Sequence, residues 1–147
     1  NCTYYDALGQ NDFDYLLARA IQFFSPGIPQ VYYAGLLAEK NAMKLLSQSN
    51  VGRDINRPYV DTAGINKALE KPFTKALIKL IQFRNSYSAF NGDFEVTSEQ
   101  STLKMSWKNN EESTTLVVDL VENTALIEVN KKSKESIISL NSLLNEA

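Results

Sequence analysis

FSPGIPQVYYAG, residues 24–35, is the stretch on which the reading of this chain turns. Pro26, Gly27, Pro29 and Gly35 frame an apolar centre of Ile28, Val31, Tyr32 and Tyr33, without the polar alternation of a half-exposed strand. Such a run predicts a strand over residues 28–35 buried on both faces, of the kind that sits between parallel neighbours. One strand cannot close a sheet. The chain is therefore expected to be a piece of a larger α/β fold.

Helical signals lie on either side. Upstream, Asn11 is a cap residue followed by Asp12 and Asp14, acidic groups that favour the positive end of a helix dipole. Phe13, Leu16, Leu17, Ala20, Ile21 and Phe24 then recur at the spacing of one buried helical face. Pro26 and Gly27 end that helix, and the connection to the expected strand is as short as is usual in α/β units. Downstream, residues 36–60 form a long, partly helical excursion holding Met43, Leu45, Leu46 and the segment VGRDINRPY. Pro72 opens a second helix with Phe73, Ala76, Leu77, Leu80 and Ile81 on one face. Helix, strand, long loop and helix in this order match the last units of a wound α/β fold.

Beyond Asn91 and Gly92 the apolar period becomes two. Phe94 and Val96, then Leu103, Met105 and Trp107, then Leu116, Val118 and Leu120, then Ala125, Ile127 and Val129 each alternate with polar residues. These predict four strands of an antiparallel meander, and residues 137–144 read as a fifth strand or a short helix. The expected organisation is a first domain over residues 1–90 and a small antiparallel β domain over residues 91–147, docked on the first.

Charge changes at the same place: residues 1–90 hold ten Lys/Arg and seven Asp/Glu, whereas residues 91–147 hold five and ten. Neither part is basic enough to suggest nucleic acid as a partner, and the Lys131, Lys132, Lys134 cluster reads as a solvated turn. The apolar runs fall short of the ~20 residues of a membrane helix, so no membrane partner is expected. The first residues have no basic stretch leading into an apolar core, and no signal peptide is expected among them. Cys2 is the single cysteine and histidine is absent. That excludes an internal disulfide framework and any mechanism using a histidine of this chain, and no metal or organic cofactor is expected.

The segments NCTYYDALG, YLLARAIQFFSPGIPQVYYAGLLAEKN and VGRDINR resemble the C-terminal portion of the sucrose phosphorylase family, within the α-amylase-like superfamily of glycoside hydrolase family 13. The run PGIPQVYYAG by itself is similar to the last barrel strand of that superfamily; Gln30, LLAEKN and GRDINR narrow the resemblance to the phosphorylase branch. It implies that residues 1–90 are the end of a catalytic (β/α)8 TIM barrel, incomplete in this chain, and that residues 91–147 are the β domain that follows. It also implies a cytoplasmic transferase of carbohydrate metabolism. Its substrates are sucrose and inorganic phosphate, its products α-glucose 1-phosphate and fructose, and a glucosyl-enzyme intermediate preserves the configuration. Dimers are common in the family, so a homodimer is open for the parent protein.

The same resemblance implies that the nucleophilic Asp, the acid/base Glu and the stabilising Asp lie upstream of Asn1, so the chain alone is expected to be inactive. One substrate-binding residue carries over. Arg53 resembles the arginine that contacts fructose before the first displacement and phosphate before the second. Gly52 is read as letting the backbone turn, and Asp54 and Arg57 as supports that orient Arg53 or pair with each other. Pro58 departs from the family pattern, in which a His is expected. Tyr32 and Tyr33 read as a barrel-core pair rather than a sugar platform, and Trp107 as a core residue rather than a carbohydrate-binding one. Tyr4 and Tyr5 stay open. Alternatives to a sucrose phosphorylase are a phosphorylase of sucrose 6-phosphate, glucosyl glycerol or glucosyl glycerate, and a non-catalytic carbohydrate-binding or interaction module.

Overall fold

The structure is a computed structural model that describes residues 1–146. A helical layer comes first in the chain: α1 (Tyr4–Ala7), α2 (Asp12–Phe24), α3 (Tyr33–Leu36), α4 (Met43–Ser49), a 3₁₀ turn (Gly52–Asn56), α5 (Thr62–Leu69) and α6 (Pro72–Ser86). A second 3₁₀ turn (Ser88–Asn91) leads into β1 (Asp93–Glu99), β2 (Thr102–Asn109), β3 (Glu112–Asp119), β4 (Thr124–Lys131) and β5 (Lys134–Ser139), and α7 (Leu140–Asn145) follows.

The strands form one antiparallel meander in the order β1-β2-β3-β4-β5. Its inner face carries Met105, Trp107, Thr114, Leu116, Val118, Ala125 and Ile127, all buried, as the period of two requires. Three of the four hairpins are closed by two residues, as Glu99 pairs with Thr102, Asn109 with Glu112 and Lys131 with Lys134, and four residues separate Asp119 from its partner Thr124. Lys132 and Ser133 both have positive φ, the twist that suits a two-residue hairpin. Gly92 enters β1 so close to β2 that a Cβ would lie 1.9 Å from the Lys108 carbonyl oxygen. The stretch 137–144 is both of the forms expected for it, since β5 ends at Ser139 and α7 begins at Leu140.

The two long helices form where their patterns put them. Asn11 caps α2 by accepting from the Asp14 N–H at 3.1 Å, and Ser25 closes it by donating to the Ile21 carbonyl at 2.9 Å. Leu16, Leu17, Ala20 and Phe24 of α2 and Phe73, Ala76, Leu77 and Leu80 of α6 are buried, and Tyr15 stacks on Phe73 with centroids 4.9 Å apart. Helices and sheet share one core. Phe90 meets Phe24 at 5.2 Å and Trp107 at 6.0 Å, and the Trp107 indole N–H donates to the Phe24 carbonyl at 2.7 Å. That bond satisfies a carbonyl at the end of α2, and it makes Trp107 a core residue, as its alternation with Leu103 and Met105 indicates.

The expected strand over residues 28–35 does not form. The described residues contain no parallel strand; residues 28–32 belong to no regular element, and the chain then turns into α3. Ile28 is 93% exposed, Tyr32 52% and Tyr33 41%, so the tyrosines do not fill a core in this chain. The physical reason is that a strand exists only with a neighbour to share its backbone hydrogen bonds. Here side chains take that part: Arg84 donates to the Gly27 carbonyl at 3.2 Å, Gln22 to that of Gln30 at 3.0 Å and Tyr15 to that of Gly35 at 3.0 Å. Two further helices, α1 and α5, were not expected. Thr3 caps the first by accepting from the Asp6 N–H at 3.2 Å and Asp61 the second by accepting from the Gly64 N–H at 2.7 Å.

Candidate functional site

Arg53 lies in the 3₁₀ turn Gly52–Asn56, between the end of α4 and the start of α5. Asn50 stops α4 in the left-handed conformation, with φ 53°. The turn is tied together internally by Asp54 N–H to the Val51 carbonyl at 2.9 Å and Arg57 N–H to the Asp54 carbonyl at 3.2 Å. Two longer-range bonds hold it in place. Ala42 N–H donates to the Ile55 carbonyl at 2.7 Å, and the Tyr33 hydroxyl to the Pro58 carbonyl at 2.7 Å.

The near end of the loop is clasped by the first residues of the chain. The Asp6 carboxylate accepts from the Asn41 backbone N–H, from Gln10 Nε2 at 2.6 Å and from Thr3 Oγ1 at 3.2 Å, while the Thr3 N–H donates to Asn41 Oδ1 at 2.7 Å. The Gln10 bond and then the Asn41 N–H hold the Asp6 carboxyl below its ordinary range, with burial opposing them and Thr3 and the nearby Lys40 charge helping. Tyr5 and Tyr4 belong to the same corner. Tyr5 Oη donates to Asp12 at 2.7 Å, and partial burial together with that carboxylate pushes its hydroxyl up to about 12. Tyr4 meets Tyr15 edge-on at 5.2 Å and lies 4.8 Å from the Arg19 guanidinium.

Arg53 and Arg57 are exposed and Asp54 is half-buried. The single ion pair among the described residues is Lys75 with Glu70, so Asp54 pairs with neither arginine in this structure. Arg57 stands near Tyr33 instead. Partial burial and Tyr32 push the Tyr33 hydroxyl up, and the Arg57 charge opposes them. Gly52 has no positive φ, and a Cβ there would meet only the Asn1 side-chain amide, at 3.6 Å. Its freedom to turn is therefore not what the loop uses; what it leaves is open space beside Arg53.

The site thus offers a planar, permanently charged fork on a turn anchored at both ends. That is chemistry suited to a phosphate or a sugar hydroxyl pair. The Asp6 clasp and a buried Arg19 network behind the site escape sequence reading. Each joins residues from distant positions, although the Asp6/Gln10 spacing and an arginine on an apolar helix face are weak signals of them.

No family model matches the chain. It is 57% identical over 128 residues to a sucrose phosphorylase of Agrobacterium vitis, covering 86% of this chain and 26% of that protein. It is 49% identical over 120 residues to a glucosylglycerol phosphorylase of Marinobacter adhaerens, covering 81% and 25%. Among solved structures, a sucrose 6F-phosphate phosphorylase from Thermoanaerobacter thermosaccharolyticum superposes with a TM-score of 0.90 at 41% identity, covering 95% of this chain and 29% of that one. The chain spans about a quarter of the length of the curated relatives it matches. It is a homologue of glucoside phosphorylases. Within that class it is a relative of the sucrose phosphorylases, and the resemblance carried by NCTYYDALG, PGIPQVYYAG and GRDINR is borne out.

Proposed function

We propose that residues 1–90 are the end of a (β/α)8 catalytic barrel and residues 91–147 its following β domain, in the C-terminal part of a cytoplasmic retaining sucrose phosphorylase. The observation that supports this most directly is the Arg53 turn: an exposed arginine without a carboxylate partner among the described residues, on a loop fastened by Ala42 and by Tyr33. On this reading the catalytic carboxylates belong to other barrel strands, and Arg53 serves the acceptor. Its fork holds fructose as the leaving group, then phosphate as it takes the glucosyl group from the enzyme. Asp54 and Arg57 act as supports, shaping the turn and the local charge.

The test is made in the full-length protein, with sucrose and inorganic phosphate. Release of α-glucose 1-phosphate is expected, and Arg53→Ala should slow phosphorolysis about a hundredfold, the loss usual for one charged donor to a developing anion. Hydrolysis of the glucosyl intermediate should fall far less. Equal loss of both reactions would remove the acceptor role. Because similar relatives are named for sucrose 6F-phosphate and glucosylglycerol, a second reading keeps the phosphorylase chemistry and changes the donor. Turnover of one of those compounds in place of sucrose would select it.

A further inference from the structure

Arg19 is 6% exposed, on the buried face of α2, and no carboxylate of the described residues pairs with it. Its Nε and Nη2 donate to Tyr15 Oη at 3.2 and 2.7 Å, and its Nη1 donates to Gln22 Oε1 at 2.7 Å. A buried guanidinium is a costly way to fill a helix face, and apolar side chains would do that better. What it does here is lock two hydrogen-bonding side chains in place. Tyr15 gives its own proton to the Gly35 carbonyl at 3.0 Å, and Gln22 Nε2 donates to the Gln30 carbonyl at 3.0 Å. Those two carbonyls bracket residues 30–35. Gly35 is needed for the fit, because a Cβ would lie 2.3 Å from Arg19 Nη2 and 2.9 Å from Tyr15 Oη. Between the two anchors stands Tyr33, whose hydroxyl holds the Pro58 carbonyl at the far end of the Arg53 loop.

We propose that Arg19 is a positioning residue: acting through Tyr15 and Gln22 it fixes residues 30–35, and through Tyr33 it sets the Arg53 turn at the distance the incoming phosphate requires. The proposal rests on the acceptor role of Arg53. A displacement of about 1 Å at a reacting centre costs up to ~100-fold in rate, so partial loosening of the turn should be visible in acceptor use before it is visible in folding.

The experiment compares Arg19→Met, Arg19→Lys, Tyr15→Phe and Arg53→Ala in the full-length protein with sucrose and inorganic phosphate. Melting temperature, KM for phosphate and the ratio of phosphorolysis to hydrolysis are read for each. Arg19→Met and Tyr15→Phe should each lower the ratio roughly tenfold and raise the phosphate KM, with hydrolysis changed by no more than about twofold. Arg19→Lys keeps the charge without the fork and should recover part of the ratio. Tyr15→Phe retains the ring on Phe73, so it decides the matter if Arg19→Met does not fold. An unchanged ratio in Tyr15→Phe or folded Arg19→Met, alongside a lowered ratio in Arg53→Ala, overturns the positioning role and leaves the acceptor reading standing. An unchanged ratio in Arg53→Ala overturns the acceptor reading, and the positioning role falls with it.

Discussion

Asp6 shows what a single residue contributes to the candidate site without touching any ligand. Its carboxylate gathers Gln10, Thr3 and the Asn41 N–H, joining α1 to the start of the loop that carries Arg53. Its folded-state pKa lies below the ordinary 3.8, so its contribution to stability is fully present above that value. As pH falls through the lowered folded pKa the contribution disappears, because the folded state must then protonate a carboxyl held in its charged form. Asp6→Ala is expected to destabilise the complete protein by about 1 kcal/mol at neutral pH, a low figure because the site is partly open to water. Urea titrations of both forms should show the difference shrinking below about pH 4 and vanishing at strong acid. A difference that grows toward acid would mean that the clasp stabilises the protonated form.

At the scale of elements, the entry to β1 shows how tightly the sheet is joined to the helices. A Cβ at Gly92 would fall 1.9 Å from the Lys108 carbonyl oxygen and 2.8 Å from the Asn109 Cα, both backbone atoms that cannot swing away. Gly92→Ala is therefore expected to cost about 1–3 kcal/mol, as forced overpacking does, and to lower the melting temperature of the complete protein. An unchanged melting temperature would show that β1 can shift outward without loss. The elements that sequence made legible are those with a long apolar period: α2, α6 and β2 to β4 each bury residues at the spacing read from them, whereas in β1 Phe94 is half-buried and Val96 is exposed. α5 escaped because its eight residues make little more than two turns: Ile65, Ala68 and Leu69 keep helical spacing, too short a run to stand out, and only Ala68 is buried. The strand expected over residues 28–35 does not form in this chain for a different reason. Its composition is that of a strand, but pairing is a relation between segments, and no described residue offers it a ladder. Arg53 was legible only through GRDINR, since an exposed arginine in a polar loop has no periodic signature; Asp6 and Arg19 bond near neighbours, Thr3 and Gln10 or Tyr15 and Gln22, a weak signal by itself, and the links onward to Asn41, Gly35 and Gln30 cross the fold, where spacing along the chain says nothing.

At the scale of the whole molecule, several of the large exposed apolar groups belong to the proposed barrel segment and the loop after it, and others lie in the sheet region. Ile28 is 93% exposed and Tyr59 92%, with Tyr32, Tyr33, Val51 and Tyr4 each open by more than a third. Tyr33 and Tyr59 also border an apolar hollow of about 380 Å³ with Leu36, Leu37, Val60, Ile65 and Leu69. Large apolar surface of this kind, beside a backbone segment without ladder partners, drives self-association unless something covers it. The proposed barrel would cover it with neighbouring strands. The 147-residue chain expressed by itself should thus form oligomers or aggregates at micromolar concentration, seen as excess mass by light scattering. Replacing Ile28 by Lys should reduce that mass, because a charge at the unpaired segment opposes edge-to-edge pairing. In the complete protein the same Ile28→Lys change should instead be strongly destabilising, since the side chain would there enter a packed interior. The opposite signs are the diagnostic. A monomeric isolated chain, or a complete protein indifferent to Ile28→Lys, would mean that residues 28–32 stay open to solvent and that the barrel assignment of this segment is wrong.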